Sequence, residues 1–203
     1  LGLGEEDRRA VLAATTRHRY SPGEIIFREG DPGETLHLIS KGHVAIRTTT
    51  RLGDVATFAV LGPGEVFGEH ALLDSAATRS ASAAALDAVE ARAMRRDDFV
   101  ALRERHRNVD QFLLAAFAAT VRRLNDHLVE ALYIPADKRV LRRLVSLAAQ
   151  YQDGAPTVTI PLTQDDIASL AGTARPTVNR ILRAAQADGL LTIARGRVEI
   201  QDL

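Results

Sequence analysis

The stretch Asn108–Tyr133 contains neither glycine nor proline, and within it Leu114, Phe117, Val121, Leu124, Leu128 and Ala131 succeed one another at spacings of 3, 4, 3, 4 and 3. That alternation is the a/d seam of a heptad repeat, so one long helix with a narrow apolar stripe is expected. A helix of this length needs something to cover the stripe. Packing on its own domain is one solution, and parallel pairing with a second copy is the other. The narrowness of the stripe favours the dimer. Pro135 interrupts the helix, because it has no N–H and its ring clashes with the preceding turn. Ala136 to Asp137 is then expected to serve as a hinge.

The chain ahead of the long helix is β-rich. A short helix is expected at about Glu5–Thr15, with Val11 and Leu12 as its apolar face. After Ser21-Pro22-Gly23, short runs alternate with turn residues: Glu24–Arg28, Gly30-Asp31-Pro32-Gly33, Thr35–Ser40, Lys41-Gly42, Val44–Thr50, Gly53-Asp54 and Val55–Leu61. Gly62-Pro63-Gly64 then precedes Glu65–Phe67, and further runs lie at Arg79–Ala85 and Val89–Met94. Many short strands with regular Gly, Pro and Asp punctuation read as a sandwich or barrel. No helix of crossover length separates them, which argues against a parallel α/β sheet.

Beyond Pro135 the chain reads as a series of short helices. Asp137–Tyr151 is expected as a helix with Val140, Leu141, Leu144, Leu147 and Ala148 on one face, and Gln152–Pro156 as a polar turn. Thr163 with Asp166 is a capping pair opening a helix that carries Ile167, Ala168, Leu170 and Ala171. Gly172 supplies the left-handed residue of a tight turn. Pro176 falls in the first turn of the next helix, where a missing N–H costs little. That helix turns Val178, Ile181, Leu182 and Ala185 inward and leaves Arg175, Thr177, Asn179, Arg180 and Arg183 outside.

Helix, glycine turn and helix, with polar residues early in the second, is the arrangement by which a recognition helix enters a major groove. Arg180 is suited to fork onto guanine O6 and N7. Thr177 and Asn179 are placed for a base edge or a phosphate, and Thr163 and Gln164 for a phosphate that sets register. Leu191–Ile193 and Val198–Ile200 flank Ala194-Arg195-Gly196-Arg197, a hairpin wing whose tip arginines can reach phosphates. A helical hairpin with solvated arginines is the bland alternative; spacing, caps and wing together favour duplex DNA.

Bulk composition neither helps nor hinders this reading. The formal net charge is zero, and residues 135–203 hold nine Lys/Arg against seven Asp/Glu, so the argument rests on where the arginines sit. The absence of cysteine excludes disulfides, thiolate zinc sites and iron–sulfur clusters. It suits a reducing cytoplasm. No apolar run is long enough to cross a bilayer, and no signal-type apolar core comes after Glu5-Glu6-Asp7-Arg8-Arg9. No activated serine, zinc-spaced histidine pair or P-loop is present, so an enzyme is not expected. Asp165 and Asp166 are paired carboxylates, but in the first turn of a helix they suit its dipole.

One constellation remains. Phe67-Gly68-Glu69-His70-Ala71-Leu72 leads on to Arg79-Ser80. A glycine lets a ligand approach the backbone, a carboxylate accepts from ribose hydroxyls, and helix-start amides with an arginine hold a phosphate. These groups suit a cyclic nucleotide. On the residues alone, a surface ion pair between Glu69 and Arg79 is the simpler account.

Both constellations, in this order around a long helix, resemble the CRP/FNR family of bacterial regulators, which includes the cyclic-AMP receptor proteins. The resemblance spans essentially the whole chain. Gly30-Asp31-Pro32-Gly33-Glu34-Thr35-Leu36 and Lys41-Gly42 match the family's barrel, and Phe67-Gly68-Glu69 through Arg79-Ser80 match its phosphate-binding cassette without a gap. Leu162-Thr163-Gln164-Asp165-Asp166-Ile167-Ala168 through Arg175-Pro176-Thr177-Val178-Asn179-Arg180 match its helix-turn-helix.

The resemblance implies an α+β fold. A cyclic-nucleotide-binding-type β jelly-roll barrel would occupy 1–107, a dimerisation helix and hinge 108–134, and a winged helix-turn-helix 135–203. It implies a transcription regulator controlled by a cyclic nucleotide such as cyclic AMP, with Glu69 on the ribose and Arg79 and Ser80 on the cyclic phosphate. Gly68 and Ala71 would contribute backbone. The implied partners are a second copy, a palindromic duplex and RNA polymerase, in the cytoplasm and off the membrane.

Two departures are visible, and one histidine needs weighing. Cyclic-AMP-responsive members hold the adenine with a Thr-Ser or Thr-Asn pair on the long helix; here Arg123-Leu124-Asn125-Asp126-His127-Leu128 offers Asn125 or His127 instead. The best-known members have Glu after the first Arg of the recognition helix, where this chain has Pro176, which cannot accept a hydrogen bond from cytosine. His70 stands where carbon-monoxide-sensing haem members place an iron ligand, but Gly68, Glu69, Arg79 and Ser80 fit a nucleotide better, and no metal ligand is assigned. A haem-sensing or effector-independent regulator of the same fold is the alternative.

Overall fold

Turn residues cut the first half of the chain into strands too short to do anything but pair with their neighbours. The computed structural model describes residues 4–51, 53–72, 76, 78–106 and 108–201. The domain limits expected at 1, 107 and 203 lie outside the described residues. Helix α1 (Glu5–Ala13) leads into β1 (Thr16–Tyr20), β2 (Ile25–Phe27), β3 (Thr35–Lys41), β4 (Val44–Thr49), β5 (Val55–Leu61) and β6 (Val66–Phe67). A 3-10 turn at Glu69–Leu72 precedes β7 (Ser82–Ala85) and β8 (Val89–Arg95). Two four-stranded sheets result, with orders β1-β8-β3-β6 and β2-β7-β4-β5. The pairs β1–β8, β3–β8, β3–β6, β2–β7 and β4–β7 are antiparallel. This is the double-sheet jelly roll. Strand β1 has no counterpart among the sequence-based expectations, because Thr16-Arg17-His18-Arg19-Tyr20 is almost wholly polar and lies at a sheet edge, where pattern carries little signal.

Strand β3 does not alternate. Leu36, His37, Leu38 and Ile39 are all buried. The reason is that both faces of its sheet are covered. Leu36 and Met94 join Val11, Leu72, Phe99, Leu102, Val109, Phe112 and Leu113 in one apolar cluster. That cluster is built with α1, α2 (Arg96–Arg105) and the start of α3 (Val109–Tyr133). Each large side chain fully buried there contributes on the order of 1.5–3 kcal/mol. Asp7 pins α1 in place, accepting from His106 Nδ1 at 2.8 Å and from Asn108 Nδ2 at 2.9 Å.

Residues up to Thr48 together with Val60–Leu124 form one compact unit; Thr49–Ala59 together with residues from Asn125 onward form the other. The division falls inside α3, which is a single unbroken helix. The second unit contains α4 (Ala136–Tyr151), β9 (Thr157–Ile160), α5 (Gln164–Ala171), α6 (Arg175–Ala187), β10 (Leu191–Ala194) and β11 (Arg197–Gln201). Val140, Leu144, Leu147 and Ala148 of α4 are buried, as are the inward faces of α5 and α6. Leu141, expected on the same face of α4, is 44 % exposed. A single step from Val140 turns it about 100° away from the buried stripe. The wing is a three-stranded sheet of order β10-β11-β9, so Thr157–Ile160 supplies a strand that the two-stranded expectation lacked.

Pro135 does break α3 from α4, but the corner is braced. Arg139 donates from Nη1 to the Ile134 carbonyl at 2.7 Å, from Nε to Ala171 at 2.9 Å and from Nη2 to Gly172 at 2.9 Å. Glu130 on α3 pairs with Arg142 at 3.3 Å and with Arg143 on α4. The hinge expected at Ala136–Asp137 thus lies at a corner that three arginines bridge.

Candidate functional site

Arg79 is where the separate motifs of the first half meet. Its backbone is held on the Gly30-Asp31 turn: the Arg79 N–H donates to the Asp31 carbonyl at 2.8 Å, and the Gly30 N–H donates to the Arg79 carbonyl at 2.9 Å. Its side chain is 7 % exposed and lies over the Phe27 ring, 4.0 Å from the centroid. Nη1 donates to the carbonyls of Thr35 at 2.8 Å and Gly68 at 3.2 Å, and Nη2 donates to Thr35 Oγ1 at 2.9 Å. Of the guanidinium's five N–H groups, these engage three. Nε is buried and has no partner among the described residues. The surface ion pair with Glu69 is thus overturned: the arginine is inside, and among the described residues no carboxylate lies within ion-pair distance of it. Burial lowers its pKa, opposed by the charges of Asp31, Glu69 and Glu34, and an arginine stays protonated at neutral pH regardless.

Gly68 is required here by the packing of Arg79. A Cβ at this position would sit 2.5 Å from Arg79 Nη1 and 2.9 Å from the Thr35 carbonyl oxygen, and φ is +76°. The close approach it permits is that of the arginine, not only that of a ligand.

His37, which sequence reasoning passed over, lies behind this arginine. It is buried, stacks on Phe67 at 4.9 Å and 12°, and its Nε2 is 3.0 Å from Thr35 Oγ1. Burial pushes its pKa down to about 3, helped by the neighbouring charge of Arg79 and by His18. A histidine depressed in the folded state destabilises the fold as pH drops through the unfolded value of about 6.5. The unfolded chain then binds a proton that the folded chain refuses until about pH 3. Urea denaturation from about pH 7.5 down to about pH 4 should show stability falling, with a shallower fall in His37→Phe. Parallel slopes in the two proteins would assign the acid sensitivity elsewhere.

The other expected pocket residues divide. Glu69 and Ala71 lie in the 3-10 turn, and Glu69 is half-buried. His70 is exposed, with its ring tilted against Phe117 at 5.6 Å. Ser80 is exposed. Asn125 and His127 lie further along α3, in the second unit, the first exposed and the second half-buried.

In the second unit the helix-turn-helix is built as the sequence indicates. The Asp166 N–H donates to Thr163 Oγ1 at 3.1 Å and the Thr163 N–H donates to Asp166 Oδ2 at 2.9 Å, a complete capping box. Gly172 is left-handed at φ 58°, ψ 48°. Arg175, Pro176, Arg180 and Arg183 are exposed on α6, and Thr177 is half-buried. Asn179 is half-buried and donates to Gln164 Oε1 at 3.0 Å, a bond that ties α6 to α5. Asp165 pairs with Arg175 at 3.3 Å, both well exposed, a pair of little energetic weight. At the wing, Arg195 is exposed, while Arg197 Nε donates to Glu199 at 2.7 Å.

Along α3, Leu114, Val121, Leu124 and Leu128 are 67 %, 55 %, 47 % and 58 % exposed, Ala131 is exposed and Phe117 half-buried. Most of the heptad stripe is left uncovered by the described residues.

A family model of the cyclic nucleotide-binding domain matches residues 17–106, and one of the Crp-like helix-turn-helix domain matches residues 138–203. The cyclic AMP receptor protein of Thermus thermophilus is 36 % identical over 201 residues, which cover 99 % of this chain and 91 % of that protein. The CRP-like cAMP-activated global transcriptional regulator of Mycobacterium tuberculosis is 32 % identical over 200 residues, covering 95 % and 89 %. The solved structure of the c-di-GMP responsive global regulator CLP of Xanthomonas campestris shares the fold at a TM-score of 0.81 and 22 % identity, covering 98 % of this chain and 100 % of that one. With both family domains in order along one chain, and full-length relatives above 30 % identity, the chain belongs to the CRP/FNR family of DNA-binding transcription regulators and carries that family's cyclic nucleotide-binding domain.

Proposed function

We propose that a cyclic nucleotide, cyclic AMP or a close relative, binds at Arg79 in the first unit and controls how tightly the helix-turn-helix holds DNA. The observation that carries this reading is the state of Arg79. Thr35 takes one N–H from each terminal nitrogen and Gly68 takes another. What remains is Nε–H and the second N–H of Nη2. In a planar guanidinium these form the side-on fork, which matches two oxygens of one phosphate. A buried cation with no carboxylate on it and one free fork, among the described residues, fits a singly charged cyclic phosphate. Glu69 is suited to accept from the ribose 2′-hydroxyl, and the amides of the Gly68–Ala71 turn and the Ser80 hydroxyl to complete the phosphate cradle.

The effector acts by binding the DNA-competent arrangement better than the incompetent one. Residues 1–107 serve as sensor, 108–134 as dimer helix and 135–203 as reading head. Two copies joined along the α3 seam present two recognition helices, which calls for a two-fold symmetric operator; membership of the family adds RNA polymerase as a partner, in the cytoplasm. Arg175, Thr177 and Arg180 face base edges, Thr163 and Gln164 a phosphate, and Arg195 and Arg197 the flanking backbone.

Calorimetry with cyclic AMP, paired with gel retardation of a palindromic duplex with and without the nucleotide, tests the proposal. Binding of the nucleotide is expected, together with tighter retardation. Arg180→Ala should weaken the specific complex by about tenfold to a hundredfold and relax preference at one base pair. DNA affinity unchanged at saturating nucleotide would remove cyclic AMP as the switch.

A further inference from the structure

The side-on fork of Arg79 is available because something else holds the opposite edge. Thr35 does this twice, with its carbonyl on Nη1 at 2.8 Å and its hydroxyl oxygen on Nη2 at 2.9 Å. Among the described residues no other bonds both terminal nitrogens. A hydroxyl that accepts from a cation must send its own proton elsewhere, since it has only one to give. The acceptor present is His37 Nε2, 3.0 Å away. That leaves the imidazole proton on Nδ1, which is buried without a partner among the described residues. The chain Arg79 Nη2–H to Thr35 Oγ1–H to His37 Nε2 is therefore directional, and it works only with a neutral histidine.

We infer that Thr35 is the positioning residue for Arg79, and that His37 orients the Thr35 hydroxyl so that the guanidinium meets a phosphate with its side-on fork. The inference rests on the nucleotide reading above for its consequence, while its geometry is testable without any ligand. It also accounts for the burial of a histidine beside an arginine. His37 is packed against both Phe67 and Phe27, at 4.9 and 5.9 Å, where a second positive charge has no solvation. The pocket then carries one cation, Arg79, with a fixed approach direction. A ligand bearing a single phosphodiester suits it, and an uncharged nucleoside forfeits the interaction.

Calorimetry with cyclic AMP as probe should find Thr35→Val weaker by about tenfold to a hundredfold, the scale of one hydrogen bond to a charged group. Thr35→Ser keeps the hydroxyl and should stay within about threefold of the parent. His37→Phe keeps the stacking and loses the acceptor, and should fall between. Thr35→Val binding like the parent overturns the assignment; so does Thr35→Ser falling as far as Thr35→Val, because the hydroxyl would then not matter. Side-chain nitrogen chemical shifts provide the second arm. The expected result is His37 with its proton on Nδ1 and Nε2 accepting, and an Nε2 resonance that moves in Thr35→Val. A proton on Nε2 in the parent overturns the relay whether or not any nucleotide binds. The Nδ1 form in a chain that ignores every cyclic nucleotide supports the relay and sinks the ligand reading instead.

Discussion

Replacing Gly68 by alanine should eliminate cyclic nucleotide binding as completely as replacing Arg79. The added methyl would lie 2.5 Å from Arg79 Nη1 and 2.9 Å from the Thr35 carbonyl oxygen, well inside van der Waals contact. The carbonyl is main chain in β3 and cannot retreat, so the guanidinium must move. The residue is also held at φ +76°, where a Cβ adds strain of roughly 1–2 kcal/mol. An Arg79 driven off Thr35 loses its orientation along with its bonds. Removing one partner of a buried, hydrogen-bonded charge pair costs about 2–5 kcal/mol, or on the order of thirtyfold to several thousandfold in affinity. Calorimetry should return no measurable heat for Gly68→Ala or Arg79→Ala, while circular dichroism shows both folded. Gly68→Ala binding at parental strength would mean that Arg79 does not hold the phosphate.

The second large effect concerns the α3 seam. The double substitution Leu124→Glu with Leu128→Glu should convert a dimer to monomers. Both side chains are exposed in the isolated chain, so the substitutions leave the monomer's own core untouched. At a two-fold seam each glutamate would face its own copy, and buried unpaired charges cost several kcal/mol each. Val129, Leu132 and Tyr133 are exposed as well, so the apolar stripe widens toward the end of α3. Sedimentation equilibrium should show the parent at twice the chain mass and the variant at once. Retardation of a palindromic duplex should weaken by at least about a hundredfold, since each half-site is then bound without its neighbour. A variant that still sediments as a dimer would move the interface off this seam.

The features behind these predictions were visible in the sequence to different degrees. The helix-turn-helix was fully legible: Thr163, Asp166, Gly172 and Pro176 are local signals, and caps and turns act within a few residues. The heptad was equally plain, since the period is carried by one helix. Strand β1 was not, because five mostly polar residues at an edge carry no pattern. Strand β9 was missed for a similar reason, with Val158 and Ile160 inward but only four residues in all. The pocket was legible as a set of residues and not as an arrangement. Gly68 and Arg79 were singled out, but their mutual packing depends on Thr35, which is 44 residues from Arg79. His37 gave no signal, because a histidine within a buried strand is indistinguishable by spacing from any other residue there. At Pro135 the break itself was legible from one residue, while the side chain that bridges the break sits four residues on and gave no local signal.

That side chain, Arg139, has a mechanical consequence. Its guanidinium joins the carbonyl just past the end of the long helix to the two carbonyls at the glycine turn of the reading head. A joint bridged in this way has less slack with which to absorb torque. A small twist of the last turns of α3 about their own axis would then be passed on to α5 and α6, and with it the direction in which Arg180 points. The reading head then behaves as a key fixed to its shaft, and the groove it meets is set by how far the shaft has turned.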